Sequence, residues 1–295
     1  MVTHAEFLPQ LLNGIGYGAT IALIAIGLSL IFGMLKIVNF AHGALYTYGA
    51  YVAFTVFSGI PAGVFSFWLA LIAAAGFVGF LGLAMETIFL RPIYKRPDAI
   101  LYGILLTFGL AEVLRETIQI IWGAMPKNLG IPAYLSGSIN LGLFIYPIYH
   151  TILIVLAFAV ILFTWFFVER TKLGSLIRAS AEDPETASSL GVSIHKIYTL
   201  TFMLGCVLAG LGGALHTPLV ALRAYMGIDI LVASFVVVVV GGLGSIPGVL
   251  LGGILIGVVR SVTALYWPTA VNVVMFIVLA IMLVIRPTGL MGRIW

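Results

Sequence analysis

Long apolar stretches alternate with short polar breaks along the whole chain. A helix needs about 20 apolar residues to cross the hydrocarbon core of a bilayer, and stretches of this kind recur from end to end. We predict about eight hydrophobic segments: 11–35, 44–57, 64–90, 100–122, 150–168, 197–216, 230–262 and 271–285. The pattern predicts an all-α polytopic membrane protein with broken or re-entrant pieces. We find neither a short-period repeat nor a soluble domain, so 1–295 is predicted to be a single transmembrane domain.

Two breaks interrupt hydrophobic sequence, at Asn39–Gly43 and at Gly241–Gly248. Glycines and Pro247 disfavour a continuous helix. Irregular backbone at membrane depth persists only against protein or a water-filled cavity. The breaks therefore either line a translocation pathway or form tight turns between helices at the cytoplasmic surface, and the sequence leaves both alternatives open. The pathway alternative makes these residues candidates for contact with a polar solute: Asn39, His42, Tyr46, Gly241, Gly242 and Ser245.

One polar segment, 169–196, stands apart from the apolar remainder. It holds eight of the charged residues of a chain that has only 14 basic and 10 acidic ones. Within it, Asp183 suits a helix N-cap, Pro184 and Glu185 suit the first turn, and Gly191 suits the C-terminal end. This predicts a helix from Pro184 to Leu190. Because so short a helix is unstable alone in water, we expect it to dock on a partner.

Composition and charge agree with a membrane protein. Hydrophobic residues make up 62% of the chain and charged residues 8%, whereas soluble domains are about a quarter charged. The net charge of +4 comes from basic residues beside the apolar spans, so no nucleic-acid partner is predicted. Lys and Arg concentrate in the loop 91–96, in 169–196 and in the tail (Arg286, Arg293), which the positive-inside rule places in the cytoplasm. The loops 123–147 and 217–229 hold one basic residue each and are predicted to face outward.

The N-terminal topology depends on the second segment. If 11–35 and 39–57 both cross, the N-terminus lies outside, and if 39–57 is re-entrant it lies inside. The first residues have no basic n-region and no small-residue cleavage site, so no cleaved signal peptide is expected.

Residues that could carry catalysis are scattered. The sequence shows no nucleophile beside a base, no metal-ligand spacing and no phosphate-binding G-x-x-x-x-G-K-[ST] loop. We therefore predict neither an enzyme nor a metal or cofactor site in this chain. The single cysteine, Cys206, lies in an apolar run and is expected to be a small buried residue.

Charged residues inside spans are candidates for function, because burying them in lipid is costly. Glu112, Arg115 and Glu116 lie three to four residues apart on one predicted helix. They either neutralise each other locally or belong to a proton relay. Glu86 precedes Arg91 by five residues and is expected to meet the cytoplasmic interface.

Several motifs taken together resemble a known family, the LivH-type permease subunits of branched-chain amino-acid ABC importers. The resemblance covers nearly the whole chain, and four motifs in order make it specific. The motifs are Ala22–Gly27 leading to Ile37–Gly43, then Arg178–Gly191, then Val240–Gly248, and Arg286–Leu290 at the tail.

The resemblance implies an ABC importer transmembrane domain in a bacterial inner membrane. It implies a second homologous permease, two cytoplasmic ATPase subunits that bind the ATP, and a periplasmic substrate-binding protein. It also implies that 169–196 is the cytoplasmic coupling loop. The expected mechanism is alternating access, with an apolar helix face inserted in the ATPase. The coupling residues on this basis are Glu182, Asp183, Glu185, Ala187, Leu190 and Gly191.

Other functions remain open at the level of the sequence. The same scaffold suits importers of urea, short amides or other amino acids. A passive channel would need no ATPase, and a proton-coupled transporter would require Glu112 or Glu116.

Overall fold

A computed structural model describes residues 4–60, 63–94, 96–140, 142 and 144–292, and these residues are mostly helical. Pro61, Lys95 and Arg293, which the sequence assigned to turns and basic loops, lie outside the described residues. The α-helices are α1 (His4–Leu35), α2 (His42–Gly59), α3 (Val64–Ala84), α4 (Ala99–Trp122), α5 (Ile148–Arg170), α6 (Lys172–Glu182), α7 (Pro184–Ser189), α8 (Ile194–His216), α9 (Met226–Gly241), α10 (Ile246–Tyr266) and α11 (Val271–Ile285).

Shorter elements complete the chain. A π-helix, Met85–Leu90, extends α3 and runs into a 3₁₀ turn at Arg91–Ile93. Two further 3₁₀ turns lie at Ala133–Leu135 and Pro268–Ala270. Strands β1 (Ser138–Asn140) and β2 (Ile145–Pro147) form an antiparallel hairpin with Ile139 opposite Tyr146.

The segments predicted from hydrophobicity are confirmed, with corrections at their ends. Met226–Asp229, predicted as loop, already belongs to α9. His42 and Gly43 begin α2 rather than the preceding break. The segment 230–262 is divided into α9 and α10, as its glycines and Pro247 indicated. A hairpin lies inside a stretch predicted to be loop only, because three-residue strands are too short to leave a periodic signal.

Six helical segments of the described chain are long and apolar enough to cross a membrane, which makes this a multi-pass membrane protein. Helix α2 is less apolar, α4 carries three charges, and α9 is shorter, so these three fall outside that set. The six spans are Phe7–Leu35, Phe65–Ile93, Ile148–Arg170, Ile194–His216, Ile246–Tyr266 and Pro268–Ile285.

The contacts divide the chain into two units. The first comprises 1–26, 131–161 and 232–295, and the second comprises 27–130 and 162–231. In the first unit α1 packs on α10 through small residues: a Cβ on Gly18 would lie 2.4 Å from the backbone oxygen of Gly253. Small residues are what allow helices to approach this closely in lipid.

Helix α8 is the centre of the second unit. It packs on α1 where Gly205 meets Gly27, and on α2 where Gly210 meets Gly49. Cys206 is fully buried beside these contacts, as the sequence predicted.

The pairing of loops in the second unit agrees with the predicted sides of the membrane. Lys127 and Leu222, from two loops predicted to face outward, exchange backbone hydrogen bonds of 3.0 and 2.8 Å. Tyr94, in the basic loop, packs edge-on against Tyr198 at the start of α8, with ring centroids 5.3 Å apart. Loops predicted on the same side thus meet.

The segment that contains the first break runs alongside α4 and in the same direction. The Phe40 amide donates to Thr107 Oγ1 at 3.3 Å, in the half of α4 nearer the basic loop. Trp122, at the opposite end of α4, donates to Thr55 Oγ1 at 2.8 Å. The segment 39–57 therefore runs parallel to α4 between these two contacts, and the side of the membrane on which the N-terminus lies stays a prediction.

Substitution of one interhelical glycine tests this packing. A Cβ at Gly213 would lie 2.0 Å from the backbone oxygen of Tyr46, so Gly213→Ala must push α8 away from α2. We expect a loss of about 1–3 kcal/mol of stability, measured as a lower unfolding temperature of the detergent-solubilised protein. The matched control is Gly76→Ala in α3, where a Cβ meets nothing within 4 Å and helix propensity improves. An equal loss in the control would contradict the assignment.

Candidate functional site

The N-terminal end of α7 is capped by Asp183. Its backbone is extended, and its carboxylate accepts hydrogen bonds of 3.0 Å from the amides of Glu185 and Thr186. Pro184 occupies the first turn. Hydrogen bonds from the Thr186 hydroxyl and amide lower the pKa of Asp183, so the cap is complete above the ordinary Asp pKa and is lost as pH falls through the lowered one. The predicted N-cap is confirmed.

The C-terminal end of α7 is closed by a Schellman motif. The amide of Gly191 donates to Ser188 O at 2.9 Å, and the amide of Val192 donates to Ala187 O at 3.1 Å. Gly191 has φ +87°, a left-handed conformation that favours glycine. Gly191 thus ends the helix as predicted, although the last helical residue is Ser189 and Leu190 is the C-cap.

The two apolar residues expected to form one exposed face of this helix are separated by the fold. Ala187 is 4% exposed, whereas Leu190 is 81% exposed. A docking face shared by these two residues does not fit this structure, since the side chain of Ala187 packs within the chain. Glu182 and Glu185 are exposed, as Leu190 is. These three side chains are available to a partner.

A second helix in the polar segment, α6, was missed by the sequence analysis. Thr171 is its N-cap and accepts from the Gly174 amide at 3.0 Å. Ile177 of α6 forms a buried apolar cluster with Met34 of α1 and Ile197 of α8. The Thr cap and the three-to-four spacing of apolar residues after Leu173 were the available signals. The cluster fixes the segment that carries α7 to two membrane-spanning helices.

The pathway candidates of the first break lie in the interior of the second unit. Asn39, His42 and Tyr46 are each no more than 2% exposed. Asn39 Oδ1 accepts from the Ala41 amide at 3.1 Å, while its Nδ2 has no hydrogen-bond partner among the described residues. The Tyr46 hydroxyl is 3.0 Å from His216 Nδ1. In this state these side chains are packed between helices.

The candidates of the second break lie in the first unit, at the turn from α9 to α10. Gly241 and Gly248 are in backbone contact. The hydroxyl of Ser245 caps α10 by accepting from the Gly248 amide at 3.2 Å. The tail covers the turn, since the Met291 amide donates to Gly241 O at 3.0 Å and Gly242 packs against residues 289–292. The geometry favours the alternative of a tight turn for this break.

The charged residues of α4 are largely paired with neighbours. Arg115 donates to Glu112 at 2.8 Å, and its guanidinium lies 4.9 Å from the ring of Tyr225. Glu116 accepts from the hydroxyl of Tyr225 at 3.2 Å. The prediction of a locally neutralised cluster is confirmed for Glu112 and Arg115. A cavity of about 30 Å³ beside Arg115 and Thr47 has room for about one water molecule.

The side chain of Glu86 is fully buried within the chain and pairs with Arg91 of the basic loop at 3.1 Å. Its position at the cytoplasmic interface stays a prediction.

Comparison with known families matches residues 10–285 to the family described as "Branched-chain amino acid transport system / permease component". Two similar proteins are a high-affinity branched-chain amino acid transport system permease protein LivH from Salmonella typhimurium and the corresponding protein BraD from Pseudomonas aeruginosa. The first is 32% identical over 97% of this chain and 96% of the relative. The second is 30% identical over 98% of this chain and 96% of the relative.

The fold is also similar to that of a chain in the structure of PsaBC from Streptococcus pneumoniae in complex with Fab. The TM-score is 0.51, with 96% of this chain and 95% of that chain covered and 11% identity. At this identity the likeness concerns the fold alone.

The left-handed residue after α7 provides a test of the site. A side chain in this conformation costs about 1–2 kcal/mol, so Gly191→Ala should loosen the Schellman motif. We expect faster hydrogen exchange at the Val192 amide, measured by mass spectrometry. Gly109→Ala is the control, because a Cβ there meets nothing within 4 Å and its φ is helical. Unchanged exchange in Gly191→Ala would contradict the motif.

Proposed function

Because the chain belongs to the family of permease components of branched-chain amino acid transport systems, we propose that it carries branched-chain amino acids inward across a bacterial inner membrane. It is a permease subunit of an ABC importer. The names of both relatives specify branched-chain amino acid transport, and both relatives match this chain over nearly their whole length. These likenesses support the substrate class.

Membership of an ABC permease family implies other ABC components, such as a second permease. We propose the full set of a second homologous permease, two cytoplasmic ATPase subunits and a periplasmic binding protein. In this assembly the ATPase subunits bind ATP, so this chain needs no cofactor of its own.

The observation that supports coupling to an ATPase is the surface of α7. It is a short, doubly capped helix in the segment that the positive-inside rule places in the cytoplasm. Leu190 is 81% exposed, and Glu182 and Glu185 of the same short stretch are also exposed. We propose that Leu190 is the apolar contact of this surface and that the exposed Glu182 and Glu185 are its polar contacts. Asp183 and Gly191 hold the helix ends, and Ala187 holds the helix on its own chain.

The proposed mechanism is alternating access. Closure of the ATPase dimer on ATP moves α7, which is joined to α8 by only four residues. The apolar cluster of Met34, Ile177 and Ile197 moves with it. Movement of α8 then shifts the helices packed on it, and the broken segment around Asn39, His42 and Tyr46 is the proposed place where the solute passes. We do not place the pathway at the second break, because a turn between α9 and α10 already accounts for the positions of Gly241, Gly242 and Ser245.

Removing the exposed side chain tests the docking surface. Leu190→Ser should leave the fold intact, because the residue is 81% exposed. Losing an interfacial leucine costs about 1.5–3 kcal/mol, so we expect at least about a tenfold fall in binding of the ATPase subunits. The measurement is co-purification and uptake into proteoliposomes with the binding protein.

The matched control is Leu173→Ser in α6, also exposed, at 44%, within the same polar segment. It should leave ATPase binding unchanged. Full uptake by Leu190→Ser would argue against α7 as the coupling element.

The charged residues of α4 separate this proposal from a proton-coupled transporter. Glu112 is already neutralised by Arg115, and a partly exposed pair of this kind contributes at most about 1 kcal/mol. We expect Glu112→Gln to retain ATP-driven uptake, and a protonophore to leave it unaffected. Uptake that collapses with the proton gradient would favour the proton-coupled alternative. Uptake without ATP would favour a passive channel.

A further inference from the structure

The carboxylate of Glu86 is the centre of a buried polar cluster at the end of α3. Its side chain is fully buried. Its Oε2 accepts a 3.1 Å hydrogen bond from Arg91 Nη2 and a 2.6 Å hydrogen bond from the hydroxyl of Thr199. The same Arg91 nitrogen lies 2.7 Å from Thr199 Oγ1, which accepts from it. A buried carboxylate is tolerated only when it is paired, so these contacts hold the three residues together.

The cluster joins two elements that are distant in the chain. Arg91 opens the 3₁₀ turn that follows α3, and Thr199 lies in the second turn of α8. Beside them the rings of Tyr94 and Tyr198 pack edge-on at 5.3 Å. Thr199 follows the end of α7 by ten residues, so the first turns of α8 connect the exposed helix to the end of α3.

The backbone at Glu86 is also unusual. The end of α3 is wound as a π-helix over Met85–Leu90, with the Arg91 amide bonded to Glu86 O. Single π turns inside α-helices are frequent at functional sites. Here the π turn places Glu86 and Arg91, five residues apart, against the same threonine.

The cluster has more hydrogen-bonding groups than it uses. Glu86 Oε1 and Arg91 Nε are buried and have no hydrogen-bond partner among the described residues. The buried Tyr94 hydroxyl lies close to the Glu86 carboxylate but makes no well-formed hydrogen bond with a described residue. Burial, and next the nearby Glu86 carboxylate, raise the pKa of Tyr94, so its hydroxyl remains a donor. Most buried polar groups in native proteins are paired. One of these groups is an acceptor, Glu86 Oε1, and the other two are donors, so the cluster holds hydrogen-bonding capacity that this state does not use.

We propose that Glu86, Arg91 and Thr199 form a latch that passes the displacement of α8 to α3 in each transport cycle. The latch rests on the proposed function, since it requires an ATPase that moves α7. When α8 shifts, the hydrogen bonds that join Thr199 to Glu86 and Arg91 draw the end of α3 with it. The unused groups of the cluster let it rearrange during this movement without losing its pairing. All three are positioning residues: they contact no solute, and they determine whether movement of α7 reaches the transmembrane helices.

The test uses the complete importer reconstituted in proteoliposomes, with uptake and ATP hydrolysis measured on the same sample. Thr199→Val removes the hydroxyl and keeps the shape. We expect uptake per ATP hydrolysed to fall at least about tenfold, the effect on an equilibrium of losing one hydrogen bond to a charged group. Thr199→Ser restores the hydroxyl and should restore the ratio.

The control is Thr87→Val, in the same π-helix as Glu86. Its hydroxyl donates only to carbonyls of its own helix, Leu83 and Ala84, and the ratio should stay at the wild-type value. If Thr199→Val fails to assemble, Arg91→Lys takes its place, because this side chain is 39% exposed and lysine keeps the charge. It should lower the ratio in the same direction.

The outcomes separate the latch from the proposed function. A wild-type ratio in both Thr199→Val and Arg91→Lys, with ATP-driven uptake intact, overturns the latch and leaves the importer standing. A fall of the same size in Thr87→Val also overturns it, because any loss of a threonine there would then suffice. Wild-type protein that takes up substrate without ATP overturns the proposed function, and the latch with it.

Discussion

The close approach of α8 to α1 and α2 is the contact on which the second unit depends. In lipid, apolar side chains gain little by meeting one another, so helix association relies on close packing and hydrogen bonds. Gly205 against Gly27 and Gly210 against Gly49 bring backbones together where any side chain would collide. The same close approach of α2 and α8 brings the Tyr46 hydroxyl within 3.0 Å of His216 Nδ1. The hydrogen bond between Tyr46 and His216 thus accompanies the glycine contacts between the two helices.

Polar groups in this protein are consequently divided into two kinds. Inside the second unit they are paired, as in Glu112 with Arg115, because unpaired charge at membrane depth is costly. In the segment that carries α6 and α7 they are exposed, and there the unusual feature is apolar: Leu190 in water. The exposed Leu190 is the residue on which the proposed contact with an ATPase rests, whereas the buried charges are paired within the chain.

Hydrophobic length and cap chemistry predicted most of the fold. The helix at Pro184, capped by Asp183 and closed by Gly191, could be located because each cap is a local property of two or three residues. Which side of that helix is buried could not be located: Ala187 and Leu190 look equivalent in sequence, and only the packing of the chain tells them apart. The pairing of Glu86 with Thr199 was equally invisible, since it joins residues 113 positions apart.

Helix α8 links the exposed helix to the packed interior. It runs unbroken for 23 residues from Ile194 to His216, so a displacement at its first turn reaches its far end without a hinge to absorb it. The glycine contacts of α8 fix its register against its neighbours, because sliding α8 by one residue would set Cβ atoms against their backbone. Packed helices of this kind shift as small rigid bodies more easily than they deform. A helix of this kind transmits movement only if its neighbours are fastened to it. The apolar cluster around Ile197 fastens α1, and the buried carboxylate of Glu86 fastens α3.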